Sequence, residues 1–348
     1  MKVFIEHDAS DGLSGIAKEL AAELCASGFA AEPSSPGALD QPQDIRIHLT
    51  SGNAPAGNSR QRPVSVTGPE TLLERTIRVL PLDFDSLPLL VEGESKIVRK
   101  WTDRLVAIRF KPTVYSYTAN RYGEVPGTDW SRLKFTAALF RLMAATKFEN
   151  DAVPRSAFLA QYETADGPLL IERMVETCNL EVRVKRYHIG SPLHRYRYTE
   201  KYPTRYGGSP LVRWSRLDSP VVCFDWRHPL FDEEQNRLPD EPLPDDYAAL
   251  WIDDFTYAKQ VAKQTFLWME RLFETADLRL IDMCIFIDRS GRTIYGEISP
   301  DCMRVRLDLN DPSRSEAADK DLWRGGHSPD ALRTRYEQLY QRLFESKI

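Results

Sequence analysis

The chain contains the stretch Ile294-Tyr-Gly-Glu-Ile-Ser-Pro-Asp-Cys-Met-Arg-Val-Arg306. It completes a predicted β-hairpin, in which an apolar strand over 278–287 and a second strand over 292–298 flank a polar turn. Two carboxylates and two guanidinium groups follow closely at the exit of the second strand: Glu297, Asp301, Arg304 and Arg306. This combination suits a phosphorylated ligand with a metal, although a solvated surface turn has a similar composition.

The composition is that of an ordinary globular protein. With 348 residues, 42% of them hydrophobic and 28% charged, the chain is long enough for one large domain or two. Its formal net charge of -5 argues against a dedicated nucleic-acid-binding protein, which needs a strongly basic face. The 5 cysteines are widely spaced, so neither a disulfide framework nor a zinc site is predicted. No stretch reaches the roughly 18 apolar residues of a membrane span, and we expect a cytoplasmic protein.

Residues 1–88 are predicted to form a small α/β segment. Strands are indicated over 2–6, 45–49 and 64–66, and apolar residues at helical spacing indicate helices over 13–24 and 69–77. The glycines of this segment do not form a Gly-x-Gly-x-x-Gly pattern after a strand, which disfavours a dinucleotide site. A proline-rich stretch over 81–88 marks the predicted boundary with the next domain.

From residue 89 the pattern changes to strand hairpins, with strands over 89–98 and 105–110 and helices over 130–145, 255–276 and 329–344. Gly93 and Lys96 in the first strand offer a close backbone approach and a positive charge to a phosphate; a β-bulge is the alternative. A later strand over 180–191 carries adjacent cations before a Gly-Ser pair, which suits a monophosphate clamp, with a solvated basic strand as the alternative.

Four motifs resemble those of the phosphoribosylaminoimidazole-succinocarboxamide (SAICAR) synthases, the amide-forming ligases of purine synthesis. Gly296-Glu-Ile-Ser-Pro-Asp-x-x-Arg304 is similar to the family's Gly-Asp-Glu-x-Ser-Pro-Asp-x-x-Arg. The segment Glu92-Gly-Glu-Ser-Lys96 is similar to its Glu-Gly-Lys-Thr-Lys, and residues 180–191 to its Pro-x-Glu-x-x-x-Arg-x-x-x-Ala-Gly-Ser. Asp319-Lys-Asp-Leu-Trp-Arg324 is similar to its Asp-Lys-Asp-x-x-Arg. The motifs occur in the family's order.

The resemblance implies an α+β fold with two lobes of antiparallel sheet and helices, in an ATP-grasp-like arrangement. This domain is expected over 89–348, preceded by the amino-terminal extension over 1–88. The resemblance also implies three groups of site residues. The catalytic group is Glu297, Asp301 and Lys320, with Glu297 also a metal ligand; the ATP-phosphate group is Gly93, Ser95 and Lys96; and the substrate-phosphate group is Lys185, Arg186, Gly190, Ser191, Arg304 and Arg324.

The sequence departs from the family pattern at three positions of the central hairpin. Cys284 stands where the family has a lysine, while Phe286 and Gly296 stand where it has carboxylates that hold Mg²⁺ at the ATP phosphates. Binding of Mg²⁺ and ATP is therefore expected to be weakened.

We expect an enzyme acting on a phosphoribosylated imidazole or purine-type nucleotide, by ATP-dependent C–N ligation, in a specialised pathway such as coformycin or pentostatin biosynthesis. A diverged enzyme that no longer uses Mg-ATP and a non-catalytic nucleotide-binding protein are the alternatives. The expected partner is a small ribonucleotide, with neither nucleic acid nor membrane, and the question of a homo-oligomer stays open.

Overall fold

The computed structural model describes residues 2–7, 13–34, 45–50, 61–65, 70–116, 121–149, 151–190, 212–227, 233 and 240–345. The chain divides into two compact units, of which the first comprises Met1–Lys111 and Ala157–Met174. The second comprises Pro112–Ser156 and Val175–Ile348. Each unit contains two sheets, and the fold class is α+β, as predicted.

The first unit begins with a small parallel sheet. Its strands are β1 (Lys2–His7), β2 (Ala30–Pro33), β3 (Ile45–Thr50) and β4 (Gln61–Ser65), in the order β2-β1-β3-β4. Helix α1 (Ser14–Ala26) connects the first two strands, and helix α2 (Leu72–Val79) follows the last. Parallel neighbours require such crossovers, so the alternation of strand and helix signals correctly predicted an α/β segment.

An antiparallel sheet completes the first unit. Its strands are β5 (Leu89–Glu92), β6 (Lys96–Lys100), β7 (Leu105–Phe110), β11 (Phe158–Thr164) and β12 (Gly167–Arg173), in the order β11-β12-β7-β6-β5. The predicted first strand over 89–98 is in fact two strands, because the chain turns at residues 93–95 and β5 pairs back on β6. This turn carries Gly93 and Ser95.

The extension and the antiparallel sheet share one hydrophobic core. Its buried side chains come from the extension (Val3, Ile5, Leu24, Ile47, Ile77 and Leu80) and from the sheet (Leu105, Ala107, Leu159, Leu169 and Ile171). Hydrogen bonds reinforce the packing: the Thr102 hydroxyl donates to the Ser27 carbonyl at 2.7 Å, and the Tyr162 hydroxyl to the Leu80 carbonyl at 2.7 Å. The predicted boundary at residue 88 thus separates sequence patterns within one packed unit, and whether it also separates folding units stays a prediction.

The second unit contains the central sheet. Its strands are β10 (Arg155–Ser156), β13 (Leu180–Tyr187), β14 (Arg216–Trp226), β15 (Glu241–Leu243), β16 (Arg279–Ile287), β17 (Thr293–Tyr295) and β18 (Met303–Arg306). The order is β10-β17-β16-β13-β14-β15, and β18 pairs with β16. A separate hairpin is formed by β8 (Thr113–Ser116) and β9 (Arg121–Glu124).

Five helices belong to the second unit as described. They are α3 (Thr128–Ala145), α4 (Asp245–Ala248), α5 (Phe255–Glu274), α6 (Asp321–Arg324) and α7 (Pro329–Tyr340), the last followed by a wider turn over Gln341–Glu345. The three long helices begin and end within a few residues of their predicted limits. No helix of the described residues is long and apolar enough to cross a membrane.

The turn of the central hairpin is fixed by one aspartate. The Asp288 carboxylate accepts hydrogen bonds from the backbone N–H groups of Arg292 and Thr293, at 3.0 and 2.9 Å, and from the Ser290 hydroxyl. Gly291 adopts a φ of 78°, a conformation that favours glycine. The predicted hairpin is confirmed, with a second strand that is shorter than expected.

Helix α5 covers one face of the central sheet. The Phe224 ring from β14 packs on Phe255 of this helix with ring centroids 4.7 Å apart, and Arg186 of β13 forms an ion pair with Glu270. Successive side chains of a strand point to opposite faces, so the residues next to Phe224 on β14 and next to Arg186 on β13 face away from α5. That second face carries the polar side chains of the candidate site.

We predict that Leu24→Ala lowers the free energy of unfolding by about 2–5 kcal/mol, because this fully buried side chain belongs to the shared core. Ile16→Ala, on an exposed position of the same helix, should change it by no more than about 0.5 kcal/mol. Urea unfolding measures both.

A fragment beginning at Leu87 should lose stability and bind a hydrophobic dye, because it lacks the half of the shared core that the extension supplies. A fragment as stable as the intact chain would show that the extension is dispensable for folding.

Candidate active site

Three charged side chains meet on the face of the central sheet that points away from α5, and we call them the clamp: Lys185, Asp282 and Arg304. Strand pairing places them side by side, since Asp282 lies opposite Lys185 on β13 and opposite Arg304 on β18. The Asp282 carboxylate accepts hydrogen bonds from Lys185 Nζ at 2.7 Å and from Arg304 Nη1 at 2.6 Å. One carboxylate therefore holds two cations at a fixed separation.

A glycine completes the clamp. Gly190 has a φ of 76°, and a Cβ atom built on it would lie 2.8 Å from Arg304 Nη1. Its backbone conformation and the close approach of the guanidinium both require glycine. Upstream, the Ile189 carbonyl accepts a hydrogen bond from Lys185 Nζ at 3.3 Å. The predicted phosphate-binding residues Lys185, Gly190 and Arg304 are therefore in contact, whereas Ser191 lies outside the described residues.

Asp282 and Arg304 are ionised at neutral pH. Burial opposes ionisation of Asp282, but the charges of Arg304 and Lys185 outweigh it and hold the pKa of this carboxyl below its ordinary value. For Arg304, burial favours loss of the charge, and the Asp282 and Asp321 carboxylates overcome it and raise the pKa. Each partner thus keeps the other charged.

A second set of ion pairs extends from the clamp to helix α6. Asp321 lies 3.4 Å from Arg304 Nε, accepts a hydrogen bond from Arg324 Nη1 at 2.6 Å, and also pairs with Arg306. Asp319 accepts hydrogen bonds from Arg306 Nη1 at 2.9 Å and from a backbone N–H of β18. Burial and the Asp321 charge raise the pKa of Asp319 to about 6, against the opposing charge of Arg306. The predicted Arg324 is therefore part of this network, one carboxylate away from the clamp.

The predicted catalytic residues Asp301 and Lys320 are paired. Lys320 Nζ donates to Asp301 Oδ2 at 2.7 Å, and the Tyr336 hydroxyl donates to Asp301 Oδ1 at 3.1 Å. Burial raises the pKa of Asp301, but the charges of Lys320 and Arg132 outweigh it and the net shift is downward. Burial and the Asp301 charge raise the pKa of Tyr336 well above its ordinary value. This tyrosine therefore remains a hydrogen-bond donor at neutral pH.

Glu297 is held by an arginine that the sequence analysis missed. Arg132 of α3 donates from Nε to Glu297 Oε1 at 2.8 Å and from Nη2 to Oε2 at 3.0 Å. The Ser299 hydroxyl also donates to Glu297, and Ser299 Oγ accepts from the Asp301 backbone N–H at 3.1 Å. A continuous network therefore runs from α3 to Lys320. Arg132 lies among polar neighbours such as Ser131 and Lys134 in the predicted helix, so no local signal distinguished it.

Comparison with known proteins identifies the family. The family model of SAICAR synthetase matches residues 89–342. The chain belongs to the SAICAR synthetase family. The match begins where the sequence analysis placed the start of the family domain, so residues 1–88 are an amino-terminal extension.

Two curated relatives and one solved structure illustrate the likeness. A phosphoribosylaminoimidazole-succinocarboxamide synthase of Sulfolobus acidocaldarius is 24% identical over 259 residues, which cover 72% of this chain and 96% of that protein. The bifunctional cordycepin biosynthesis cluster protein 3 of Cordyceps militaris is 24% identical over 294 residues. The match covers 72% of this chain and only 32% of the Cordyceps protein.

The solved structure is a SAICAR synthetase (Type-2) in complex with ADP. It superposes with a TM-score of 0.57 and 19% identity, covering 73% of this chain and 97% of that one. This likeness confirms the predicted fold. Members of the SAICAR synthetase family are C–N ligases, and the chain is a SAICAR-synthetase-like enzyme.

The side chains of the site do not fit the carboxylate cage that the family resemblance implies for Mg²⁺. Both oxygens of Glu297 accept hydrogen bonds from Arg132. Phe286 packs on Tyr295 with ring centroids 5.7 Å apart, and Gly296, with a φ of 79°, carries no ligand atom on a side chain. Across the described ranges, no group of three or more His, Cys, Asp or Glu side chains is placed to hold a metal.

Arg186 lies apart from the clamp. Adjacent residues of a strand face opposite ways, and Arg186 points to α5, where Nε donates to Glu270 Oε1 at 2.7 Å. Its Nη1 also donates to the backbone carbonyls of Leu217 and Asp218, at 3.3 and 3.1 Å. The structure thus places it in a buried ion pair on the helix-covered face.

The predicted ATP-phosphate residues belong to the first unit. Between β5 and β6, the Gly93 N–H donates to the Lys96 carbonyl at 2.9 Å, and Lys96 Nζ lies 5.2 Å from the centre of the Phe110 ring. The Ser95 carbonyl accepts from the Lys111 N–H at 2.8 Å, and Lys111 Nζ donates to the Gly93 carbonyl at 2.9 Å. Lys111 is thus a cation at this turn that the motif comparison missed. Phosphate binding here stays a prediction.

We predict that Asp282→Asn lowers the free energy of unfolding at pH 7 by about 3–5 kcal/mol, because the buried Lys185 loses its counter-ion and Arg304 loses one of its two carboxylate partners. The pKa of Asp282 is depressed in the folded state, so the carboxylate stabilises the protein above about pH 4 and progressively less as the pH falls. The difference between wild type and variant should therefore narrow in acid, as measured by urea unfolding at several pH values.

Glu176→Gln is the matched control for this measurement. It removes an exposed partner of Arg289 and should cost no more than about 1 kcal/mol at any pH. A difference between wild type and Asp282→Asn that stays constant into acid would contradict the assignment of the charge to Asp282.

Proposed function

We propose that the chain is a C–N ligase that binds a phosphoribosylated imidazole or purine-type ribonucleotide through the clamp. The observation that carries this proposal is the geometry of Lys185 and Arg304, two cations held by the single carboxylate of Asp282 against the backbone of Gly190. The three side chains have a net positive charge. A phosphate monoester, with its negative charge and acceptor oxygens, is the ligand that this arrangement suits.

Arg304 has donor capacity left for such a ligand. Its Nη1 is bound to Asp282 and its Nε lies near Asp321, but within the described part of the chain no residue accepts a hydrogen bond from its Nη2. Its side chain is 18% exposed, so a ligand can reach it. The planar guanidinium is kept in place by its carboxylate partners, which lowers the entropy lost when a phosphate binds.

The proposed reaction follows the chemistry of the family. An oxygen of the substrate carboxylate attacks the γ-phosphorus of ATP, and ADP leaves with the electron pair of the broken P–O bond. An amine then attacks the acyl carbon, phosphate leaves and the nitrogen loses a proton, so that the products are an amide, ADP and phosphate. We assign Lys320, positioned by Asp301, and Arg304 to stabilise the negative charge that develops in these steps. The ADP complex of the related SAICAR synthetase supports ATP as the co-substrate.

We further propose a role in specialised nucleoside metabolism, of the coformycin and pentostatin kind, in the cytoplasm. The support is the similarity to the Cordyceps protein, whose name places it in cordycepin biosynthesis. The proposed partner is a small ribonucleotide, without nucleic acid or membrane. The chain spans about a third of the Cordyceps protein.

A second candidate function is nucleotide binding without ligation. It is favoured by the state of the carboxylates, because Glu297 and Asp301 are both neutralised by cations of the protein. Under this alternative the clamp still binds a ribonucleotide, but no ADP is formed.

We predict that an imidazole or purine ribonucleotide binds more tightly than its nucleoside, and that Arg304→Met reduces this difference by about 1.5–3 kcal/mol, the contribution of hydrogen bonds to a charged group. Isothermal titration calorimetry with matched nucleotide and nucleoside pairs measures it. Arg314→Met, at an arginine that is 89% exposed, should leave the affinity unchanged. Equal affinities for nucleotide and nucleoside would eliminate the clamp as a phosphate site.

We predict amine-dependent release of ADP when a carboxylated imidazole ribonucleotide, ATP and a panel of amino acids are supplied together. Lys320→Met should slow this release by about 100-fold or more, since it removes a charge that stabilises the transition state, while ribonucleotide binding should persist. A coupled ADP assay and mass spectrometry of the products provide the measurement. Ribonucleotide binding without ADP release from any combination would favour the second candidate function.

A further inference from the structure

Arg132 is a fully buried cation at the centre of the second unit. Its side chain has 0% exposure, and it is among the largest completely buried side chains of the described residues. A charge buried to this degree is tolerated only with a counter-ion, and Glu297 supplies it through two nearly parallel hydrogen bonds. Burial alone would lower the pKa of Arg132, but Glu297 and Asp301 reverse the shift, so the guanidinium remains charged.

Glu297 is saturated by this arrangement. Each of its oxygens accepts from the guanidinium, and the Ser299 hydroxyl donates to one of them. A divalent cation bound to Glu297 would have to displace Arg132 or lie beside it. Displacement would leave a buried guanidinium without its counter-ion, and close approach would place two positive charges together in a poorly solvated site.

The neighbouring carboxylates are engaged in the same way. Lys320 and Tyr336 donate to the two oxygens of Asp301. Within the central hairpin, Phe286 and Gly296 provide no side-chain oxygen at all. The positive charge of the site therefore comes from side chains, with Arg132 in the position that a cation bound to Glu297 would take.

We propose that Arg132 is a built-in cation that replaces a divalent metal at Glu297, so that this site binds its nucleotide without a metal ion. The inference deepens the proposed function, on which its nucleotide part rests. Arg132 then has two effects. It excludes a metal ion from Glu297, and it supports the hydrogen-bond network that leads through Ser299 and Asp301 to Lys320. Arg132 is a positioning residue, because the structure gives it no exposed surface for contact with a ligand.

Manganese binding by the protein alone tests the exclusion of metal. Electron paramagnetic resonance should detect no Mn²⁺ bound to wild type at the site. Arg132→Gln, which keeps a similar length without the charge, should gain one Mn²⁺ per chain, and the additional change Glu297→Gln should abolish it. Arg132→Lys should behave as wild type, because it preserves the cation. If Arg132 had only a structural role, its replacement by Gln would not create a Mn²⁺ site.

Arg335→Gln is the matched control. It frees Glu316, a surface carboxylate that is 73% exposed, and should gain no Mn²⁺. Mn²⁺ binding by wild type that Glu297→Gln removes would overturn the proposal, as would a folded Arg132→Gln protein that binds none. If circular dichroism shows that Arg132→Gln is unfolded, the comparison of wild type with Glu297→Gln decides the question alone.

Nucleotide titrations test the consequence for ligand binding. The affinity of wild type for an imidazole or purine ribonucleotide, and for a non-hydrolysable ATP analogue, should change by less than about twofold when excess Mg²⁺ is replaced by a chelator. A rise of about tenfold or more with Mg²⁺ would overturn metal-free binding. If no ribonucleotide binds under either condition, the proposed function fails, whereas the manganese experiment still determines whether Arg132 excludes metal.

Discussion

The register of β16 against β13 and against β18 is the constraint on which the site depends. It places Asp282 opposite Lys185 on one side and opposite Arg304 on the other. A shift of one residue in either pairing would turn a charged side chain of the clamp into the face covered by α5. The apolar face covered by α5 opposes such a shift, because its buried side chains would be turned away from the helix.

Ion pairs determine the orientation of the charged side chains in the site. The two ends of the 297–304 segment, at Glu297 and Arg304, are each bound to a partner of opposite charge from another element. These pairs are buried or nearly so, where breaking one costs several kcal/mol but making one contributes little net stability. Their main effect is therefore to orient side chains. Orientation in advance of binding is what a site for a small anionic ligand requires, since it reduces the entropy lost on association.

The residues of the candidate site that lie in contiguous motifs could be predicted from the sequence. Arg304, Asp301 and Lys320 belong to short patterns whose spacing is readable along the chain, and strand pairing then brings the motifs together. Arg132 could not be found in this way, because it contacts Glu297 across 165 residues and belongs to no motif. For Arg186, the alternation of a strand already implied a face opposite to that of Lys185. Packing of the extension depends on long-range contacts that no local pattern contains.

For the proposed nucleotide, Asp282 would act as an internal competitor. In the free protein its carboxylate already satisfies Lys185 and Arg304, so an incoming phosphate gains only the excess of its own bonds over those that it weakens. Free inorganic phosphate has little to add to this exchange, whereas a nucleotide brings a sugar and a base that can make contacts elsewhere. Under the proposed function, a clamp of this kind would favour ligands that make further contacts beyond the phosphate.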